Sequence, residues 1–398
     1  MKKKVVLAYS GGLDTSCIVY WLKERGYDVV AFLADLGQQE DLRAAKERAL
    51  KIGASNVYIA DVREEFIHNF IYPAIKANAV YEGRYLLATA LGRPLIAKYL
   101  VETAHREKAQ YIAHGCTGKG NDQVRIEITA NILDPRLEIL APVREWEFTS
   151  REEEIEYAKE KKIPIEVTKK KPYSLDKNLW GISIECGILE DPYVQPPEDA
   201  YQVTVSPEKA PAKPQYLVLG FEKGVPVSID GRAYKPQDLL ETLNKLGGAH
   251  GIGRTDMVEN RLVGIKSREV YEAPAGWIIH TAHRELESLV LDREASHFKQ
   301  GIDAKYAELI YNGFWYSPLK HALDGFINAT QKFVSGDVRL KLYKGSCVCV
   351  GRRSAHSLYS KALATYTKED IFDQKLAAGF IKILGMPYKQ VARQARGK

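Results

Sequence analysis

The sequence predicts an α/β protein: a parallel sheet with helices on both faces, then an α+β domain, then a C-terminal helical arm. Three observations carry this. Short β-branched runs alternate with helix-spaced segments over the first 165 residues, as crossover-connected parallel strands require. A proline-rich stretch then interrupts the pattern, with hairpin signals beyond it. The last stretch carries a small apolar stripe on a basic helix. The expected domains are 1–165, 166–366 and 367–398, a number in keeping with 398 residues.

Val5–Tyr9 reads as the first strand. Thr15–Arg25 has helix spacing, with Ile18, Trp21 and Leu22 on one stripe. Val29–Leu33 is a second strand. Asp41–Ile52 is helical, with Leu42, Ala45, Ala49 and Ile52 in phase. Asn56–Ala60 is a third strand, and Pro94–Glu107 a helix with its proline in the first turn, where it is tolerated. Tyr111–His114 and Glu138–Ala141 are the fourth and fifth strands. Ligands of such sheets bind beyond the carboxyl ends of the strands, which singles out the loops after Tyr9 and His114. The six prolines between Asp191 and Pro214 predict extended, semi-rigid chain. Tyr216–Phe221 and Val225–Ile229 flank Glu222-Lys223-Gly224 as a hairpin. Pro236–Leu246 is a helix closed by Gly247-Gly248. Leu340–Val350 reads as one strand. Pro387–Arg396 is a short helix, set off by Gly385-Met386-Pro387, whose stripe of Tyr388, Val391 and Ala395 needs a covering surface.

Composition narrows the function classes. An apolar fraction of 45% and a charged fraction of 27% are those of an ordinary globular protein. The net charge of +6 suits anionic small substrates and does not call for nucleic acid. Five cysteines without a CxxC pair (Cys17, Cys116, Cys186, Cys347 and Cys349) argue against a disulfide framework or zinc ribbon and for a reducing compartment. Cys347 and Cys349 share one face of a strand and are expected to be buried there. The N-terminal apolar run is too short for a secretory signal, and no stretch reaches the roughly 18 apolar residues of a membrane span. A soluble, cytoplasmic protein is expected.

Two loops carry chemistry. Ser10-Gly11-Gly12-Leu13-Asp14-Thr15-Ser16 lies between a strand and a helix. Its glycines allow close approach of backbone to ligand, the helix start offers unpaired N–H groups, and Ser10, Thr15 and Ser16 add hydroxyls. This is a phosphate cradle, yet neither a dinucleotide fingerprint nor a Walker loop. His114 to Arg125 is a glycine-rich loop in which Asn121 caps a helix. Asn121, Asp122 and Arg125 converge within one turn, an acid for an ammonium and an arginine for a carboxylate. A plain helix cap with a surface Asp–Arg pair would look the same.

SGGLDTS resembles the pyrophosphate loop of the N-type ATP pyrophosphatase superfamily. AYSGGLDTS, YEGRYLLATALGRPLIAK, HGCTGKGNDQVRIE, KPYSLDKNLWGISIE and GRTDMVENRLVGIKSREVYEAP follow in that order. Together they resemble the argininosuccinate synthase family from Val5 to about Tyr388. The resemblance implies a nucleotide-binding domain followed by a synthetase domain. It implies ligation of citrulline and aspartate with ATP as co-substrate and Mg2+ on its phosphates, through an adenylated citrulline, in arginine biosynthesis. It places ATP at Ala8, Tyr9, Ser10, Gly11, Gly12, Leu13, Asp14, Thr15 and Ser16, with the backbone of Ala34 and Gly115 nearby. It places citrulline among Tyr85, Asn121, Arg125, Ser174, Ser183, Glu259 and Tyr271, and aspartate at Thr117, Asn121 and Asp122. Asp14 and Asp122 are candidates for handling metal or a proton. Ala90 stands where the family often has serine, so a hydroxyl contact is missing there. The resemblance also implies a homo-oligomer, a tetramer joined through the arm from about Thr367, with neither nucleic acid nor membrane as partner. A related thiolase would need paired working cysteines and an amidotransferase-linked synthetase a glutaminase domain. A nucleotide-binding regulator would not need the Asn121–Arg125 cluster.

Overall fold

The computed structural model describes residues 3–164 and 173–397. Five strands, β1 (Lys3–Ala8), β2 (Tyr27–Asp35), β3 (Asn56–Asp61), β4 (Tyr111–Ala113) and β5 (Glu138–Leu140), form an all-parallel sheet in the order β3-β2-β1-β4-β5. Helix α1 (Leu13–Glu24) follows β1 and α2 (Leu42–Ile52) follows β2. A helical run follows β3: α3 (Arg63–Phe66), a π turn at Ile67–Ile71, then α4 (Tyr72–Lys76). Next come α5 (Ala88–Glu107), α6 (Asp122–Leu133), α7 (Pro142–Glu145) and α8 (Arg151–Glu160). Alternate side chains of β1 face opposite ways. Val5 and Leu7 pack with Ile18 and Leu22 of α1, Ala49 of α2 and Ala158 of α8. Val6 packs with Leu100 and Ala104 of α5 and Ile126 of α6. The sheet is therefore covered on both faces, as expected.

The expected start of the α5 helix is corrected. It begins at Ala88, six residues before Pro94, which lies inside it. The Tyr85 hydroxyl accepts from the N–H groups of Thr89 (3.0 Å) and Ala90 (3.4 Å). A side chain just upstream of the helix thus satisfies donors that a helix start leaves open, and the proline forfeits a single backbone bond to the Ala90 carbonyl.

Two antiparallel sheets follow. β6 (Ser174–Lys177), β7 (Ile182–Glu185), β11 (Arg254–Asn260) and β12 (Lys266–Glu272) are ordered β11-β12-β7-β6. β8 (Gln215–Glu222), β9 (Val225–Ile229), β10 (Arg232–Ala233), β13 (Gly336–Tyr343) and β14 (Ser346–Arg353) are ordered β10-β9-β8-β13-β14. The β8–β9 turn forms as expected, with Lys223 and Gly224 both at positive φ. The single strand expected over Leu340–Val350 is instead a hairpin, turning at Lys344-Gly345, both also at positive φ. Cys347 and Cys349 do share a strand, β14, but are half-buried. Helix α9 (Pro236–Ala249) runs through Gly247-Gly248 instead of stopping there. A side chain at Gly247 would collide with Pro274, and one at Gly248 with the Val203 carbonyl, so these glycines serve close packing.

Helices α10 (Pro274–Val290), α11 (Arg293–Tyr311) and α12 (Pro318–Thr330) complete this part. They enclose a buried polar cluster. Lys299, 1% exposed, lies 2.8 Å from Asp303 and 3.1 Å from Glu287. Asn78 donates to Glu287, Gln331 donates to Glu287, and both ring nitrogens of His283 meet the carbonyl oxygens of Asn78 and Gln331.

The chain divides into compact units at 1–355 and 356–398. The second holds α13 (Lys361–Ala364), α14 (Leu376–Leu384) and α15 (Met386–Ala395). Gly385 alone separates the last two, and Pro387 sits in the first turn of α15. Helix α14, which the sequence reading did not single out, exposes Leu376, Phe380, Ile381, Ile383 and Leu384, and α15 exposes Tyr388 and Val391. Among the described residues no helix is long and apolar enough to cross a membrane.

Candidate active site

The loop after β1 is held by a few local hydrogen bonds. Gly11 has φ +80°, a conformation that favours glycine. Ser10 Oγ and Thr15 Oγ1 are 3.1 Å apart, and Gly12 N–H donates to Ser10 Oγ. Gly12 precedes α1 with no side chain capping the helix start, so its N–H groups remain available to an anion. Ser16 departs from the expectation of three accessible hydroxyls: it is fully buried and bonds Tyr9 Oη at 3.0 Å. Tyr9 and Leu13 are likewise buried and support the loop from below, while Ala8 ends β1. Asp14, half-buried, sits in the first turn of α1 against Glu154 of α8. Burial, and then the Asp14 charge, push the Glu154 carboxyl up to about 8. Ala34 is at the end of β2, its carbonyl taken by the Gln38 side chain at 2.7 Å.

The loop after β4 leans on the first. A side chain at Gly115 would meet Thr15 at 3.2 Å and Ile18 at 3.0 Å, so glycine lets the two loops approach without crowding these side chains. Buried His114 accepts the Cys116 N–H at Nδ1 and contacts Glu127 through Nε2, which assigns the proton to Nε2. Gln123 Nε2 donates to the Gly118 and Gly120 carbonyls, and Arg144 Nη1 donates to Gln123 Oε1. Thr117 is exposed at the tip. Asn121 precedes α6 but does not cap it with its side chain. Its Oδ1 accepts the Leu262 N–H at 2.9 Å, tying the loop to the β11–β12 hairpin.

Asp122 and Arg125 pair at 2.9 Å, as their spacing suggests. Arg93, from α5, adds a second guanidinium to Asp122 at 2.8 Å and also pairs with Asp176 of β6. Burial disfavours the Asp122 charge, but Arg93 and Arg125 together hold its carboxyl below the ordinary range. Asp122 is thus ionised and a weak base. Arg125 is buried; its Nε donates to the Tyr311 carbonyl at 2.8 Å, and its guanidinium lies 4.9 Å from the Tyr311 ring centre.

Register explains the remaining residues. Tyr271 pairs with Ser183 and with Thr255, and Ser183 pairs with Asp176. Residues two apart on a strand share a face, so Ser174, Asp176, Ser183, Tyr271 and Glu259 line one face of the four-stranded sheet. On it Tyr271 Oη donates to Glu259 Oε2 at 2.7 Å and Tyr311 Oη to Glu259 Oε1 at 2.5 Å. Burial raises the Glu259 pKa and these two hydroxyls oppose it. Tyr85 stacks on Tyr271 with centroids 4.0 Å apart, and burial pushes its hydroxyl up to about 12. Ser183 Oγ meets Thr89 Oγ1 at 3.0 Å. Ser174 is exposed at the edge strand, opposite Glu185, apart from the bonded set. Ala90 is fully buried.

Tyr85, Asp122, Arg125, Ser183, Glu259 and Tyr271 therefore converge, with Asn121 at their border. Arg93, Asp176, Thr89, Tyr311 and Arg261 were not singled out from sequence. Arg261 bridges Glu185 and Glu269 and donates to the Lys119 carbonyl. Helical spacing from Thr89 to Arg93 was the available signal. Among the described residues no three His, Cys, Asp or Glu side chains gather as a metal site.

Known proteins are similar to this chain over nearly its whole length. Residues 4–164 match the family described as arginosuccinate synthase N-terminal HUP domain, and residues 173–391 the arginosuccinate synthase C-terminal domain. The chain is 57% identical over 390 residues to argininosuccinate synthase of Carboxydothermus hydrogenoformans, covering 98% of this chain and 97% of that one. It is 55% identical over 399 residues to that of Aquifex aeolicus, covering 100% of both. It is 58% identical over 388 residues to that of Bacillus licheniformis, covering 98% and 96%.

Proposed function

The chain belongs to the argininosuccinate synthase family, and from that premise we propose how its residues carry the reaction. The activity is ATP-dependent ligation of L-citrulline and L-aspartate to argininosuccinate, serving arginine biosynthesis. The ureido oxygen attacks the α-phosphorus, a P–O bond forms, and pyrophosphate leaves with the bonding pair. The aspartate nitrogen then adds to the ureido carbon. The C–O bond breaks and AMP departs with that oxygen, the amine having lost a proton. Nitrogen donation makes the free ureido group unreactive; adenylation supplies its leaving group.

The observation that supports the reading is the close approach of Gly115 to Thr15, by which the loop carrying Asp122 and Arg125 lies against the phosphate loop. Ser10 to Thr15 hold the phosphates of ATP, and Mg2+ brought with them would neutralise phosphate charge there. Tyr85, Arg125, Ser183, Glu259 and Tyr271 hold citrulline. Thr117, Asn121 and Asp122 hold aspartate. Because Arg93 and Arg125 keep Asp122 ionised and weakly basic, its role is to anchor an ammonium and not to take a proton. Positioning and charge neutralisation supply the rate. The protein works as a cytoplasmic homotetramer whose exposed α14–α15 surface meets a neighbour, with 1–165 and 166–366 acting as nucleotide-binding and synthetase domains.

Oxygen-18 in the ureido group is expected to appear in AMP by mass spectrometry, with pyrophosphate as co-product. Unlabelled AMP would show that citrulline does not accept the adenylyl group, and ADP would remove the pyrophosphatase-type chemistry.

A further inference from the structure

Arg48 lies on α2 and is not among the residues so far given a role. Ala45 and Arg48 are three positions apart on one helix face, and that face meets the phosphate loop. A side chain at Gly11 would touch Ala45 at 2.9 Å and Arg48 Nη1 at 3.5 Å. Arg48 Nη1 donates to the Gly11 carbonyl. The side chain is half-buried, and among the described residues no carboxylate lies within ion-pair reach of it. A guanidinium has five N–H donors; one is on Gly11, and the other four have no partner among the described residues. A half-buried guanidinium with four donors to spare has the capacity to take an anion. This one meets a backbone oxygen at the mouth of an anion-binding loop.

Topology says which phosphate it serves. The sheet order β3-β2-β1-β4-β5 sets the β1 loop between two neighbours. On the β4 side are Gly115 and Asp122, with the amino-acid subsites. On the β2 side is α2, with Arg48. Displacement at phosphorus places the attacking and leaving oxygens in line on opposite sides. With citrulline entering from the β4 side, pyrophosphate departs toward β2. We propose that Arg48 grips the β- and γ-phosphates of ATP and neutralises pyrophosphate as it leaves, a role that rests on the AMP-forming reading above. A planar fork anchored at one corner suits paired phosphate oxygens.

The test compares Arg48→Gln and Arg48→Lys with the wild-type enzyme. Product inhibition by pyrophosphate and by AMP is measured separately, with steady-state KM for all three substrates and circular dichroism as a fold check. Arg48→Gln is expected to raise the ATP KM and weaken pyrophosphate inhibition about ten- to a hundredfold. AMP inhibition and the citrulline and aspartate KM values should stay within about twofold, a change too small to mark a lost hydrogen bond. Arg48→Lys, which keeps charge but not the fork, should fall between; if the glutamine variant does not fold, the lysine variant still must lose pyrophosphate inhibition selectively. Unchanged pyrophosphate inhibition would overturn the proposal. So would equal weakening of pyrophosphate and AMP, which is the mark of a residue that only props Gly11. Formation of ADP by the wild-type enzyme would instead defeat the underlying reading, whatever the variants do.

Discussion

Arg125→Lys separates the structural from the ligand-binding work of one guanidinium. In the structure Nε donates to the Tyr311 carbonyl at 2.8 Å and Nη1 to Asp122 Oδ1 at 2.9 Å. The remaining N–H groups are left for a ligand carboxylate. Lysine offers a single ammonium on a flexible, unforked stem, and cannot meet both acceptors and a ligand together. Tyr311 is fully buried, so stranding its carbonyl costs about 1–3 kcal/mol of stability. A lost charge-assisted bond to the ligand costs about 1.5–3 kcal/mol, or about ten- to a hundredfold in apparent citrulline affinity. Urea unfolding reads the first loss and steady-state kinetics with citrulline varied reads the second. Tyr311→Phe is the control, because it keeps the carbonyl and removes only the hydroxyl on Glu259. An unfolding midpoint and citrulline KM and kcat all equal to wild type would remove Arg125 from both roles.

Lys299→Met strands Glu287 and Asp303 in the interior and should cost about 3–5 kcal/mol, read as a lowered denaturation midpoint; an unchanged midpoint would mean that the cluster is solvated. Glu269, buried beside Glu185, has its carboxyl pushed up to about 8 by burial and then by that neighbour. An acid whose folded pKa is raised supports folding below its unfolded pKa and loses that support as pH rises through the folded value. Glu269→Gln should therefore gain on the wild type in thermal midpoint between about pH 4.5 and 8, and a constant difference across that window would contradict the shift. Deleting 387–398 removes α15 and should lower the assembly mass by light scattering coupled to size exclusion while ATP binding persists. A full-length monomer, or a truncated form of unchanged mass, would rule out the arm as a contact between copies.

Much of the parallel sheet was legible because its strands are buried on both faces and read as short β-branched runs, Val5–Leu7 and Val29–Leu33 among them. The phosphate loop was legible because glycines and hydroxyls are concentrated within seven residues. Ser16 was misplaced because a hydroxyl in a loop motif carries no sign of which way it points; here it points at Tyr9. Arg93 stayed hidden behind Pro94. Reading that proline as a helix start removed the turn that places Thr89 and Arg93 on one face; the Tyr85 hydroxyl, which accepts the Thr89 N–H at that earlier start, carries no sign in the sequence of where it points. Asp176, Ser183, Tyr271 and Glu259 meet through the register of four strands spread from residue 174 to 272, which no local pattern encodes. Tyr311 is one of 23 tyrosines, and it reaches Arg125 across 186 positions.

The Tyr85 hydroxyl has a definite polarity. Its oxygen already receives the Thr89 and Ala90 N–H groups, which use both lone pairs. What it can still offer is its hydrogen. Tyr271 and Tyr311 likewise send their hydrogens to Glu259, so the carboxylate between them is left with acceptor capacity alone. This side of the candidate site therefore presents one donating point at Tyr85 and one accepting point at Glu259. A zwitterion can satisfy both in only one orientation, oxygen toward Tyr85 and N–H toward Glu259. A ligand that enters reversed sets acceptor-free hydrogen against hydrogen and lone pair against lone pair, and loses both bonds together. If citrulline binds where we propose, the hydrogen bonds that open α5 also set which way round it lies.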